Sequence, residues 1–111
     1  MSNVTRTAPQ QPSIKNTFIN SSSSGATQII AAQNGMSIRV IDAALVSTLA
    51  NTIKFQSNAT DISASFPLGA NGGLVLPFNE HGWFQTAVGE ALNINLSVGT
   101  ATGISINYII L

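Results

Sequence analysis

The chain contains no cysteine, and this absence removes several kinds of chemistry at once. Disulfides, thiolate metal sites and cysteine nucleophiles are all excluded, so packing and association with other chains have to stabilise the fold. Charge is scarce as well, because four basic and four acidic residues make up 7% of the 111 residues and cancel to a net charge of zero. A chain with so few basic residues has no field that attracts phosphates, and we therefore expect no binding to nucleic acid.

Long apolar runs and catalytic groups are also missing. No stretch approaches the roughly 18 apolar residues of a membrane-spanning helix, and the N-terminus lacks the pattern of a secretion signal. His81 is the only histidine, the acidic residues are scattered, and no Gly-x-Ser-x-Gly motif occurs. The sequence therefore predicts a protein that is not an enzyme and has no cofactor, no metal, no membrane partner and no small-molecule substrate. A hydrolase, the alternative, would need His81 beside a nucleophile.

What is present changes character at Gly25. Residues 1–25 are polar, contain Pro9 and Pro12, and end in four serines followed by Gly25, whereas residues 26–111 are a succession of short apolar runs separated by Gly and Asn. We predict an extended N-terminal arm over 1–25 and one β-domain over 26–111, with every strand after Gly25. The arm has two basic residues and no acidic one, for a charge of +2, and the body has two basic and four acidic residues, for −2.

Turn signals and alternating residues divide the body into seven or eight short strands. Asn34-Gly35 is typical of a two-residue hairpin turn, and a second hairpin is expected at 99–103. Alternation fails near Asp42, which indicates a β-bulge. The pattern predicts an all-β fold, an antiparallel β-sandwich or jelly-roll-like barrel, with a short helix over 43–50 as the alternative for that stretch.

Apolar residues in the arm and in the last strand are candidates for contacts between chains. The arm segment around Phe18 either lies on its own domain or docks on a neighbouring subunit. The last strand is apolar on both faces, so it is covered either by a loop or arm of the same chain or by another subunit. The predicted interface residues are Arg6, Ile14, Lys15, Phe18, Ile19, Trp83, Ile109 and Leu111.

Trp83 is the only tryptophan and has Phe84 beside it. Neighbouring strand residues point to opposite faces, so one of the two fills the core while the other lies on a surface or under a loop. We expect Trp83 in the core or in a subunit interface. The alternative is a sugar-stacking patch formed with Phe78 and His81.

The body also resembles a known family of proteins. Residues 28–111 resemble small β-domains from virions of tailed bacteriophages, and specifically capsid decoration, or cement, proteins. The segments that carry the resemblance are Ala32-Gln33-Asn34-Gly35, Ile53-Lys54-Phe55-Gln56-Ser57, Asn71-Gly72-Gly73-Leu74-Val75-Leu76-Pro77 and Gly82-Trp83-Phe84-Gln85-Thr86.

The resemblance implies a jelly-roll-like sandwich that forms a homotrimer and binds the major capsid protein. Such a protein is made in the host cytoplasm and lies on the outer capsid surface of the virion, where it stabilises contacts between coat subunits. A phage tail or fibre protein, or a carbohydrate-binding tip domain, is the alternative, because similar domains occur there.

Overall fold

The computed structural model describes residues 13–111, so the predicted interface residue Arg6 lies outside the described residues. This part of the chain contains ten β-strands and no helix. The strands are β1 (Lys15–Ser21), β2 (Gly25–Ile30), β3 (Ile38–Ser47), β4 (Asn51–Ser57), β5 (Thr60–Asp61), β6 (Phe66–Leu68), β7 (Gly73–Leu76), β8 (Phe84–Gln85), β9 (Leu92–Leu96) and β10 (Thr102–Ile110). The alternative of a short helix over 43–50 is wrong, because β3 covers most of that stretch.

The strands form two antiparallel sheets. Sheet 1 has the order β1-β10-β3-β7 with β8 also paired to β3, and sheet 2 has the order β2-β9-β4-β5 with β6 also paired to β4. The pairing is nested along the chain: β1 pairs with β10, β2 with β9, β3 with β7 and β8, and β4 with β5 and β6. This is a long hairpin rolled into a jelly roll, and it confirms the prediction of an all-β antiparallel sandwich.

The core lies between the sheets and consists of side chains that alternate with exposed ones along each strand. Phe55 on β4 is completely buried, and its ring stacks on that of Phe84 with centroids 4.8 Å apart and an angle of 25° between the planes. Burial of each such side chain contributes about 1.5–3 kcal/mol. The other fully or almost fully buried apolar residues are Ile38, Val40, Ile41, Leu45, Ile53, Leu92, Ile94, Leu96, Ile104 and Ile106.

The bulge expected near Asp42 is present one residue earlier. The register of β10 against β3 shifts between Asn107 and Tyr108, which leaves Ile41 without a partner on β10. The Ile41 carbonyl instead accepts a hydrogen bond from the Asn79 amide at 2.9 Å. The bulge therefore fixes the segment after β7 against sheet 1.

Two turns were expected to close hairpins, and that expectation is wrong. The turn at Asn34-Gly35 forms, with the Met36 amide donating to the Gln33 carbonyl at 3.0 Å. However, it joins β2 of sheet 2 to β3 of sheet 1, and residues 99–103 likewise join β9 to β10 across the sandwich. Turn chemistry acts locally, so it fixes a change of direction without selecting the sheet that the next strand enters.

The arm also differs from the expectation that every strand lies after Gly25. Lys15–Ser21 forms β1, which pairs along its whole length with β10 and occupies an edge of sheet 1. The reason is that β10 has apolar inner residues and a free backbone edge, and Thr17, Ile19 and Ser21 of β1 extend the inner face. The division into an arm over 1–25 and a domain over 26–111 stays a prediction.

Candidate functional site

The outer face of sheet 1 carries exposed apolar residues at its two sides. One row across the sheet runs Phe18, Ser105, Ala44, Val75. Phe18 and Val75, at the two ends, are 69% and 71% exposed, whereas the residues between them are small. The face therefore has a low centre between two raised apolar sides.

These two sides lie on opposite edges of the sheet. We call exposed Ile14 and Phe18 the β1 margin, and exposed Val75 and Phe78 the β7 margin. Two intervening strands, and so three strand spacings, separate the margins, which places Phe18 and Val75 about 14 Å apart. One copy therefore cannot bring its own two margins together.

The polar groups on this face are bonded to one another. The Asn107 side-chain amide donates to both carboxylate oxygens of Asp42, at 2.9 and 3.0 Å, and Asn16 donates to the Asn107 side-chain oxygen at 2.9 Å. The chain of bonds links β1, β10 and β3. Because Asp42 already accepts two bonds, its charge is partly compensated within the fold.

The outer face of sheet 2 is different, because amides and charges cover it. Gln28, Asn93, Gln56 and Asp61 form one row across it. Gln56 donates to Asp61 at 2.8 Å, and Lys54 bonds the same carboxylate at 3.1 Å. The hydrogen bond from Gln56, followed by that from Lys54, lowers the pKa of the exposed Asp61 carboxyl below its ordinary value. Sheet 2 thus presents a face suited to water, and sheet 1 one suited to contact.

Trp83 does not fill the core, so that part of the sequence prediction is wrong. Its neighbour Phe84 packs against the core, and the alternation along the strand leaves Trp83 on the outside, 41% exposed. The indole Nε1 donates to the Pro77 carbonyl at 2.7 Å, and the Trp83 amide donates to the Val40 carbonyl at 2.8 Å. The ring is held in place on the surface, and its role as an interface residue stays a prediction.

Next to Trp83 lies a small depression around Arg39. It is lined by Arg39, His81, Gly82, Trp83, Phe84 and Gln85. Gly82 has a φ of +86°, and a Cβ there would lie 2.6 Å from Arg39 Cδ, so the arginine stem lies directly on the glycine. Arg39 Nε then donates to the Gln85 side-chain oxygen at 2.9 Å. Arg39 is not among the predicted interface residues, because the contact with Gly82 that positions it forms across the sheet.

The remaining predicted interface residues separate into exposed and covered ones. Lys15 is exposed, whereas Ile19 faces inward and is half-buried. Ile109 is only 8% exposed in the single chain, which favours cover by the same chain over a subunit interface. Leu111 is partly exposed, and its backbone exchanges hydrogen bonds with Ser37 at 2.9 and 3.0 Å. Val75 was missed, although it stands between two leucines on a strand that Pro77 confines to an edge.

Residues 13–111 contain no cluster of three or more His, Asp or Glu side chains that could hold a metal ion.

The short hydrogen bond from Ser57 Oγ to Glu90 Oε1, at 2.5 Å, joins β4 to the loop before β9, and the same Oγ accepts a hydrogen bond from the Ala87 amide at 3.0 Å. The Ser57 hydroxyl therefore connects β4 to the segment between β8 and β9. Over the same described range, no helix is long and apolar enough to cross a membrane.

No protein-family model matches the sequence, and no curated protein is similar to it at a significant level. Among solved structures, the chain is similar to a subunit of Bacillus endospore appendages, described as disulfide-linked pili, with 15% identity over 97% of this chain and 98% of that chain and a TM-score of 0.47. It is also similar to the coat of the extra small virus of the prawn Macrobrachium rosenbergii, solved as a virus-like particle, with 11% identity over 99% and 86% and a TM-score of 0.45.

A third similar structure is the capsular polysaccharide assembling protein CapF from Staphylococcus aureus, with 14% identity, a TM-score of 0.36, and coverage of 90% of this chain and 25% of that chain. Such low identities and TM-scores say nothing about function, which has to be argued from the geometry.

Proposed function

We propose that the protein is a non-enzymatic structural protein that assembles into a homotrimer through sheet 1. The observation that carries this proposal is the pair of exposed apolar margins on opposite edges of one sheet. The contrast with the amide-rich outer face of sheet 2 supports a contact through sheet 1.

A second copy of this chain is the occupant that these margins fit. An apolar margin without charges needs an apolar partner, and each copy offers one on its other edge. Contact between the β1 margin of one copy and the β7 margin of the next, repeated around a three-fold axis, closes a ring of three copies, whereas a two-fold axis would pair both margins at once in a dimer. We propose the ring of three copies because the sequence resemblance implies a trimer.

In the specific form of the proposal, the trimer is a decoration protein of a bacteriophage shell. The resemblance of residues 28–111 to such proteins supports this form. The jelly-roll body with its two exposed apolar margins supports it as well. The N-terminal arm, with basic Arg6 and Lys15, contacts the major capsid protein. Three arms in one trimer raise occupancy of the shell through multivalency, even where each contact is weak.

Engineered cysteines test the ring directly, because the native chain has none. In the variant Phe18→Cys/Val75→Cys, oxidation should link copies through 18–75 disulfides and give covalent species up to the trimer on a non-reducing gel. The two positions are too far apart for a disulfide within one copy. Phe18→Cys alone should give no covalent dimer, and Gln28→Cys, on the outer face of sheet 2, is the matched control.

Two results would overturn the trimer. Covalent species of the double variant that stop at the dimer, or a Phe18→Cys variant that forms a covalent dimer as readily as the double variant, would indicate a two-fold contact. Light scattering coupled to size exclusion that finds a stable monomer of 11.5 kDa at micromolar concentration would remove self-assembly altogether.

The virion form is tested separately by antibody labelling of phage particles from the organism that encodes the chain. Label over the shell supports decoration of the capsid. Label confined to tails or fibres favours the alternative, and particles without label contradict both.

A further inference from the structure

Trp83 is 41% exposed and its ring is held in one position. The indole N–H is already used by the Pro77 carbonyl, and the Trp83 amide is used by β3. A ligand therefore meets the ring through its face, which is apolar. Because these bonds fix the ring before any ligand arrives, little side-chain entropy is lost on binding.

Beside this ring stands a cation held in one position. Gly82 supports the Arg39 stem and Gln85 holds its Nε, as described above. Within residues 13–111 the only ion pair is Lys54–Asp61, so Arg39 has no carboxylate partner there. Glu80 is exposed in the adjacent turn and makes no ion pair with it. The terminal guanidinium nitrogens can thus bind a carboxylate in the bidentate way that arginine favours.

The size of the depression limits the ligand. Its volume is about 150 Å³, below the roughly 300–1,000 Å³ of pockets for drug-sized molecules. Its lining can contact one ring-sized unit, and a larger ligand would lie mostly outside the depression. One cation is also too few for a nucleic-acid backbone. Exposed His81 and the Gln85 amide add hydrogen-bonding groups at the rim.

We infer that this depression, the Arg39–Trp83 site, binds one carboxylate-bearing sugar unit of an acidic polysaccharide. The apolar face of the pyranose ring stacks on Trp83, and the sugar carboxylate binds Arg39. A single site of this size binds weakly, in the millimolar range, and several copies in one assembly raise the apparent affinity for a chain of repeating units. The inference uses none of the contacts proposed for the trimer.

Trp83 itself is the reporter, since it is the only tryptophan in the chain. Its fluorescence should change and saturate as sodium glucuronate is added. Glucose, which has the ring without the carboxylate, should bind about tenfold more weakly, as expected for loss of a charge-assisted pair. Acetate, which has the carboxylate without the ring, should leave the emission unchanged, and added salt should weaken the binding of glucuronate.

Variants separate the two parts of the site. Arg39→Gln should weaken glucuronate binding about tenfold and leave glucose binding unchanged. Lys54→Gln, which removes a cation from sheet 2, is the matched control and should change neither. For Trp83→Ala, titration followed by NMR should show that glucuronate no longer binds. Melting curves of each variant show that it is folded.

Several results would overturn the inference. An emission that does not respond to glucuronate, or that responds equally to acetate, would leave no saccharide site. Equal affinity for glucose and glucuronate, or an Arg39→Gln variant with unchanged affinity, would remove the arginine from it.

Discussion

Two phenylalanines lie in opposite environments, and changing each of them to alanine tests whether folding and assembly depend on different residues. Phe55 is completely buried in the core and stacks on Phe84, whereas Phe18 is 69% exposed on the β1 margin. The change Phe55→Ala should therefore destabilise the single chain, and Phe18→Ala should weaken the oligomer instead. The same side-chain atoms are removed in both variants.

The magnitudes follow from burial. Truncation of a fully buried phenylalanine costs about 3–5 kcal/mol, of which the stacked ring pair accounts for roughly 0.5–1.5 kcal/mol. Since 1 kcal/mol corresponds to roughly 4–8 °C in a domain of this size, the melting temperature of Phe55→Ala should fall by about 12–40 °C. For Phe18→Ala the cost in the monomer should stay below about 1 kcal/mol, which includes the lower strand propensity of alanine.

Circular dichroism at a concentration low enough to dissociate the oligomer measures the folding term, and light scattering at higher concentration measures assembly. Phe18→Ala should remain folded and elute as a smaller species than the native protein. The reasoning fails if dilute Phe18→Ala loses as much stability as Phe55→Ala, because Phe18 would then be packed against its own chain. It also fails if Phe18→Ala assembles as tightly as the native protein.

Three further predictions concern single elements. Asn51→Ala should lower stability by about 2–4 kcal/mol in urea unfolding, since the buried amide makes three hydrogen bonds to residues 97–98. In NMR titrations the pKa of Asp61 should lie below that of a free aspartate, and Gln56→Leu should raise this pKa more than Lys54→Gln does. Because the pKa is lowered in the folded state, the ionised Asp61 stabilises the fold at pH values above the ordinary aspartate pKa. This stabilisation is lost as the pH falls through the lowered pKa. Deleting residues 1–21 removes β1 and should lower the melting temperature, whereas deleting residues 1–12 keeps β1 and serves as the control.

The sequence was sufficient for the fold class because its signals are local and repeated. Alternation in Leu92–Leu96 predicts a strand with one buried face, and the interruption near Asp42 predicts a bulge, which occurs at Ile41. The pairing of these strands could not be predicted in the same way. A turn such as Asn34-Gly35 has the same composition whether it closes a hairpin or crosses between sheets, and only the burial of the whole core decides between the two.

The strand in the arm was missed for a related reason. Lys15–Ser21 has a weak pattern of its own, with Phe18 exposed and Ile19 half-buried. It becomes a strand because β10 provides a backbone edge and an inner face to complete. Propensity within seven residues does not contain that information, since the stabilising contacts lie about ninety residues further along the chain.

The candidate site was only partly predictable, because exposure depends on what the rest of the chain covers. Placing two neighbouring aromatic residues on opposite faces was sound, yet the pattern could not tell which of them faces the core. The bulge at Ile41 and the bond to Pro77 place Trp83 outside. Arg39 gained its position through Gly82, a contact across the sheet that no spacing in the sequence reveals.

The two proposals share the segment 77–83, and their tests have to keep them apart. Phe78 belongs to the β7 margin, whereas Pro77 holds the ring of Trp83 through its carbonyl. Assembly alone could therefore alter the emission of Trp83, and a ligand could alter assembly in return, since such coupling is reciprocal. Val75 touches only the first proposal and Arg39 only the second. A Val75→Ser monomer that still binds glucuronate, together with an Arg39→Gln variant that still assembles, would establish two independent surfaces on one sheet.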